Sequence, residues 1–283
     1  MTTQRIGILH PGAMGISVAA TLQGSGHHVY WASEGRSQST VRRAAMYGLH
    51  DLQSVAALCA ACDILFSVCP PDSAEAVAQQ VLGYRFRGLY VDANAIAPQR
   101  AIRIGQAMQH AGATGVDGGI IGGPASRPGT TWLYLSGPAA DVIAACCAAG
   151  PLETHVLGPE LGTASALKMC YAAYSKGSTA LLAAILAAAE SLGVRTELQQ
   201  RWSADDPAFA AGLEGRIGGA AVKAWRFAGE MEEIAATFQA AGQPDGFHTA
   251  AAFLYRQLAD FKDAAAVPTL DQLLAGLQHG TRA

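Results

Sequence analysis
The chain predicts an α/β fold: a doubly wound, mainly parallel sheet in an N-terminal domain, then an all-α C-terminal domain reached through a long helix. Three observations predict it. Strand-like and helix-like patterns alternate over roughly the first 155 residues, the signature of a parallel sheet covered on both faces. A glycine turn, HPGAMG, follows the first apolar strand inside the strand–helix–strand stretch from Arg5 to Arg36, the setting of a dinucleotide-binding (Rossmann) unit. From Gly162 to Leu192 there is no proline and one interior glycine, and the patterns beyond are helical.

Each element follows from its own residues. Ile6–Leu9 reads as a buried strand, Pro11–Gly15 as the turn, Ile16–Gln23 as the helix and His28–Ala32 as the second strand. Thr40–Gly48 and Ser54–Ala60 predict short helices. Asp63–Cys69 is an apolar strand stopped by Pro70 and Pro71, and Asp72 with Ser73 is expected to cap a helix over Ala74–Val81. Leu89–Asp92, Gly115–Gly119 and Thr131–Ser136 are further strands, with a helix over Pro98–His110. Gly162 to Leu192 as a single helix would be about 46 Å long. It is apolar around most of its circumference and so must be covered on all sides; a second copy of the chain is the natural cover, which predicts a homodimer. Helices are expected over Pro207–Gly218, Ala221–Ala241, Phe247–Lys262 and Thr269–Gln278. The domains are expected to be 1–158 and 159–283.

Composition narrows the function. Hydrophobic residues are 51% and charged residues 14% of the 283, with net charge −3, ample for a core and unsuited to nucleic acid or a membrane surface. The chain enters a strand with no signal-peptide pattern, and the longest apolar stretch, around Ala180–Ala189, is alanine-rich and unlike a membrane span. Six cysteines (Cys59, Cys62, Cys69, Cys146, Cys147, Cys170) lie in helix and strand patterns. The Cys59/Cys62 pair lacks the second pair or histidine of a zinc site, so these read as reduced thiols of a cytoplasmic protein. No cluster has metal-ligand spacing, and no GxSxG or Ser–His–Asp pattern points to hydrolysis.

The glycine turn is the strongest chemical signal. Gly12 lets the backbone approach a pyrophosphate, Gly15 allows close packing of helix on strand, and the free N–H groups at the helix start attract phosphate. His10 stands where GxGxxG has its first glycine. The expected cofactor contacts are therefore His10, Pro11, Gly12, Ala13, Met14 and Gly15, with Cys69, Pro70 and Asn94 at later strand ends. The second strand runs into Ser33-Glu34-Gly35-Arg36-Ser37 rather than ending in the acid that binds a ribose 2′-hydroxyl. A guanidinium with two hydroxyls suits a 2′-phosphate, so Ser33, Arg36 and Ser37 predict NADPH over NADH. Glu34 leaves the alternative of an NAD acid displaced by two positions.

Taken together, the motifs resemble those of the β-hydroxyacid dehydrogenase superfamily, which includes 6-phosphogluconate and 3-hydroxyisobutyrate dehydrogenases, and of its imine reductase relatives. HPGAMG stands for GLGxMG, VCPPDSA for the nucleotide-edge turn and VDANAIAP for DxSTxxP. DGGIIGGPAS stands for the DxPVSGG substrate loop and GTASALKMCYAA for the GxGxxxKxxNN helix start. The resemblance covers most of the chain. It implies a Rossmann domain followed by a helical domain, an active site between them, and contributions from both subunits of a dimer. There are departures: Ile121 replaces the substrate-loop serine, Ala172 the second helix asparagine, and Ala224 the aspartate after Lys223.

On that resemblance the reaction is hydride transfer between NADPH and a small carbonyl or alcohol, with Lys168 as general acid/base. Leu167, Met169 and Cys170 surround Lys168 with few charges, and partial burial draws a lysine toward the pH where it exchanges protons readily. A cationic iminium would be repelled by an ammonium, which favours carbonyl reduction. Imine reduction, with a proton from a tyrosine such as Tyr171 or Tyr174 or from water, is the alternative; a non-catalytic NADP-binding sensor is the third reading. Asn94 is a further catalytic or ribose-binding candidate, with an Asx turn as its structural role. Gly122, Gly123, Lys223 and Trp225 are substrate-side candidates, and Arg127 a weaker anion ligand.

Overall fold
A computed structural model of the chain describes residues 2–262, 264 and 266–279. They form two compact units, Met1–Met169 and Cys170–Ala283, which are described in turn.

The first unit is a sheet of eight strands: β1 (Arg5–Ile8), β2 (His28–Trp31), β3 (His50–Asp51), β4 (Ile64–Ser67), β5 (Leu89–Asp92), β6 (Thr114–Gly122), β7 (Thr131–Ser136) and β8 (Leu152–Gly158). Their order is β3-β2-β1-β4-β5-β6-β7-β8. Helices α1 (Ala13–Gly24), α2 (Gln38–Met46), α3 (Val55–Ala61), α4 (Ala74–Gly83), α5 (Pro98–His110) and α6 (Ala140–Cys146) cover its faces. Successive residues of β4 go to opposite sides: Ile64 and Phe66 join Ile8, Val18, Leu22 and Ile143, while Leu65 joins Leu58, Val81, Tyr90 and Met108. A strand buried on both faces reads as a continuous apolar run, and each such side chain contributes about 1.5–3 kcal/mol.

The mainly parallel, doubly wound sheet is as expected, with one reversal. β7 runs antiparallel to β6, because residues 123–130 are too few for a crossover helix. The short β3, α6 and β8 were not legible in the sequence. Ser37 accepts the Thr40 N–H, so α2 starts at Gln38 and not at Thr40. The expected Asp72–Ser73 cap does not form: a 3-10 turn over Pro71–Ser73 leads into α4, whose N-terminus has no side-chain cap.

Helix α7 (Thr163–Ser191) starts in the first unit and ends in the second. By length and composition it could cross a membrane, with mean hydropathy 1.2 over its most apolar window, but 44% of that window is buried in the protein. It also carries Lys168 and Lys176, which are costly in lipid.

The second unit adds α8 (Arg195–Asp205), α9 (Pro207–Ala221), α10 (Ala224–Ala240), α11 (Gly246–Gln257) and α12 (Leu270–His279). The expected helix over Phe247–Lys262 breaks into α11 and a 3-10 turn, Ala259–Phe261. Leu213, Ile217, Met231, Ile234, Tyr255 and Leu273 are among its buried side chains. Lys176 of α7 is neutralised by Glu230 of α10 at 2.7 Å, and the Tyr255 hydroxyl donates to the Lys176 carbonyl at 2.9 Å.

Candidate active site
Two constellations form in the first unit, one at the carboxyl end of β1 and one midway along β6. The first lies where the winding reverses: β1 pairs with β2 on one side and β4 on the other, which is where doubly wound sheets bind ligands. The chain leaves β1 through His10 and Pro11, folds back with Gly12 N–H donating to His10 O at 2.8 Å, and enters α1. No side chain caps that helix, so its first N–H groups, from Ala13 on, are available to an anion. A Cβ on Gly15 would stand 2.2 Å from His10 O, so any side chain there forces the turn open. A Cβ on Gly12 would meet nothing within 4 Å. Gly12 therefore leaves room that the protein itself does not fill.

Around that room, buried polar atoms lack partners. His10 Nδ1 and Arg36 Nε are both enclosed and unbonded. Burial, then the Arg36 guanidinium, holds the His10 imidazole down at about 4, so it is neutral at physiological pH. Burial also draws Arg36 below its ordinary range, with Cys69 of the β4 end close enough to oppose the shift; burial pushes the Cys69 thiol up to about 11. Arg36, following β2, thus lies within electrostatic range of His10 after β1 and Cys69 after β4. Ser37 caps α2, and Ser33 N–H donates to Asp51 Oδ1 at 3.1 Å. Glu34 is exposed, with its N–H on Gln53 O at 2.8 Å. Pro70 is exposed and Met14 half-buried beside Ser17. Sequence reasoning missed Arg43, whose Nη1 donates to Pro11 O at 3.4 Å; the signal was its place on the helix that Ser37 caps. Open space at Gly12 and an uncapped helix start fit a dinucleotide diphosphate, and the unpartnered cationic and imidazole nitrogens leave room for a further anionic partner.

The second constellation joins β6 to the first turn of α7. Asp117 is buried; its Oδ1 accepts from Ser165 Oγ at 2.6 Å, and its Oδ2 from Ser165 N at 2.9 Å and Ser136 Oγ at 3.1 Å. Ser136 Oγ in turn accepts the Ala164 N–H at 3.0 Å. Burial raises the Asp117 carboxyl, and these donors oppose the rise. A Cβ on Gly119 would be 2.7 Å from Ala164 O and 3.1 Å from Lys168 Cβ, so the glycine lets helix and strand touch. Lys168, half-buried, donates from Nζ to Ile120 O at 2.5 Å. Strand β6 thus anchors the helix with Asp117 and orients the ammonium three residues further on. The anchoring role of Asp117 was missed, although it precedes the double glycine in the substrate-loop motif.

The remaining candidates are placed as follows. Asn94 is buried and engaged at both ends: Oδ1 accepts from Cys69 N at 2.6 Å and Nδ2 donates to Ser67 Oγ at 3.0 Å, while its N–H donates to Asp92 Oδ1 at 3.1 Å. It braces the β4 and β5 ends. Asp92 is fully buried, with Oδ2 unpartnered, and burial pushes it up to about 7. Gly122 has φ +123 and a Cβ there would lie 2.4 Å from Thr130 O, so it serves the β6–β7 hairpin. Gly123 is exposed and its carbonyl accepts from Thr131 Oγ1 at 2.7 Å. Arg127 is exposed in the same loop. Tyr171, 53% exposed, follows Lys168 on α7. Lys223 and Trp225 lie together at the start of α10 in the second unit; both are exposed, and Lys262 Nζ stands 4.5 Å over the Trp225 ring. Among the described residues no group of three His, Cys, Asp or Glu is placed to hold a metal.

A glycine turn with free helix N–H groups at a winding reversal, and a strand-anchored lysine elsewhere in the same unit, fit a nicotinamide-dinucleotide oxidoreductase. Residues 5–146 match the family model described as the NAD binding domain of 6-phosphogluconate dehydrogenase, and the chain belongs to that family of NAD(P)-dependent dehydrogenases and reductases. Residues 189–258 match a domain of unknown function, DUF1932. Conserved protein MTH1747, of unknown function and described as structurally similar to 3-hydroxyacid dehydrogenases, is 27% identical with TM-score 0.67, over 91% of this chain and 97% of that one. The Mycobacterium tuberculosis 3-hydroxyisobutyrate dehydrogenase with L-serine shares the fold at TM-score 0.68 and 19% identity, covering 100% of each chain. An Aspergillus terreus reductive aminase in complex with NADPH and ethyl levulinate does so at TM-score 0.55 and 19% identity, over 97% and 99%. No curated protein sequence matches.

Proposed function
We propose that the protein is an NADPH-dependent reductase of a small carbonyl compound, or the dehydrogenase of the corresponding alcohol, with Lys168 as general acid/base. The observation that carries this is the Lys168 ammonium held at 2.5 Å on Ile120 O by a helix that Asp117 pins to the same strand. The nicotinamide supplies or accepts the hydride. Lys168 gives a proton to the oxygen of a carbonyl as it becomes an alkoxide, and takes it back in the reverse direction. Ile121 and Ala172, where the family has serine and asparagine, remove two polar groups and favour a substrate less polar than a plain β-hydroxyacid. Asn94 acts through the Cys69 turn that it braces. Gly123, Tyr171, Lys223 and Trp225 are proposed substrate-side groups.

The preference for NADPH rests on Arg36, enclosed with an unbonded Nε, and on the exposure of Glu34, the only acid in the segment after β2. Ser33 and Ser37 complete the loop. Exposed Tyr174, Leu181, Phe247 and Phe253 support a homodimer, and six free cysteines a reduced, cytoplasmic setting. An imine substrate is the second reading, favoured by the exposed Tyr171 one turn from Lys168 as an uncharged proton donor.

The test is NADPH oxidation with a panel of aldehydes, keto acids and cyclic imines, repeated with Lys168→Met. Carbonyl turnover should fall at least about a hundredfold, the usual share of a general acid, with NADPH binding retained. Full activity in the variant removes Lys168 from the mechanism, and turnover of imines alone selects the second reading.

A further inference from the structure
We propose that His10, standing where the phosphate turn of this family has its first glycine, is the second half of the reader of the adenosine phosphate: His10 and Arg36 bind the 2′-phosphate between them. This inference rests on the reading of the cofactor as NADPH and assigns that discrimination a residue the family turn lacks.

Three observations converge. His10 Nδ1 and Arg36 Nε are each buried with no partner, and an unmade buried hydrogen bond costs about 1–3 kcal/mol, so two beside one turn call for a shared partner. The two groups are within electrostatic reach, since Arg36 acts on the His10 imidazole, and a cation near an imidazole gains from an anion accepting from both. The acids close in sequence do not fill that role: Glu34 is exposed, and Asp51 Oδ1 already accepts from Ser33 N and Gln53 N at 3.1 and 2.7 Å. Position assigns the phosphate. The diphosphate belongs at the α1 N-terminus, where N–H groups are free and Gly12 leaves room. Arg36 arrives from the β2 end, the side on which a dinucleotide's adenosine ribose is read. A neutral imidazole keeps one N–H to donate there. Were His10 present for packing alone, an apolar ring would fill the space without stranding a nitrogen.

The experiment is calorimetric titration of the full chain with NADPH and NADH, and with the fragments 2′,5′-ADP and 5′-AMP, for wild type, His10→Gly, His10→Gln, Arg36→Ala and the His10→Gly/Arg36→Ala pair. His10→Gly, which restores the family's turn residue, should weaken NADPH and 2′,5′-ADP about tenfold and leave NADH and 5′-AMP within about twofold, the effect of one charge-assisted hydrogen bond. His10→Gln, which keeps an N–H donor, should recover most of the loss. The double variant should be little worse than Arg36→Ala, because groups sharing one phosphate are not additive. An equal loss for NADPH and NADH in His10→Gly, or no loss for either, overturns the inference. If Arg36→Ala still discriminates against NADPH in those cases, the NADPH reading stands without His10; if Arg36→Ala also leaves the preference unchanged, that reading falls as well.

Discussion

The end of β1 and the middle of β6 each meet the start of a helix, α1 and α7, among buried polar groups, yet they are finished differently. At β6 the polar atoms are matched within the protein: Asp117 takes three donors from Ser165 and Ser136, and Lys168 rests on Ile120 O. At β1 the matching is incomplete, with His10 Nδ1 and Arg36 Nε unbonded and a Cβ-sized space open at Gly12. Matched networks rigidify; unmatched ones fit where a ligand brings the missing partners. One junction is built to receive a molecule, the other to hold a side chain still.

The largest effect separates two glycines of the same turn. Gly15→Val should prevent stable folding of the first unit, because its Cβ would sit 2.2 Å from a backbone carbonyl. Gly12→Val should cost only about 1 kcal/mol as a poorer helix cap, yet reduce nucleotide affinity at least about a hundredfold, since its branches fill the room beside the diphosphate. Urea unfolding and dinucleotide titration read the two separately. If Gly12→Val binds normally, the open space at β1 has no guest and the contrast with β6 collapses.

How much of this contrast could be read in the sequence differs between the two junctions. The phosphate turn announces itself, because a turn needing Gly12 and Gly15 between an apolar strand and a helix is a local pattern, and Arg36 follows within the same unit. Local spacing also placed α5 at Pro98–His110 and β7 at Thr131–Ser136. The clamp at β6 is built from residues 48 apart, Asp117 with Ser165 and Lys168 with Ile120, and long-range pairs leave no periodic trace. Asn94 read as a possible ligand, because nothing local shows that Cys69 and Ser67 occupy its amide. β8, with Glu153, Thr154 and His155 among its apolar residues, lacks the continuous run that marks a central strand.

A smaller but still large effect tests the clamp. Asp117→Ala leaves the Ser165 N–H and two hydroxyls without their acceptor, at about 1–3 kcal/mol for each orphaned group, so a loss of about 4–6 kcal/mol is expected in chemical denaturation. Loosening should concentrate at the start of α7: hydrogen exchange over 163–168 should speed up more than exchange in α1. Uniform acceleration across the first unit would mean that Asp117 supports the sheet generally and does not hold Lys168 in particular.

The smallest expected effect concerns the carboxyl beside the clamp that has no such set of donors. Asp92 pairs across the sheet with Asp117, and burial pushes it up to about 7 from 3.8. Between those values the unfolded chain has already released this proton while the folded protein still holds it. Folding is therefore favoured below pH 4, and that contribution is lost progressively as pH rises to about 7, then levels off. A shift of three units sets a ceiling of about 4 kcal/mol. Asp92→Asn keeps the shape and the acceptor for Asn94 N–H but cannot ionise. Relative to wild type, its stability should climb from pH 4 to pH 7 and run parallel above, as measured by urea unfolding at several pH values. Curves parallel throughout would place the Asp92 ionisation at its ordinary acidic value, and with it a partner for Oδ2 that would make β5 resemble the matched junction at β6.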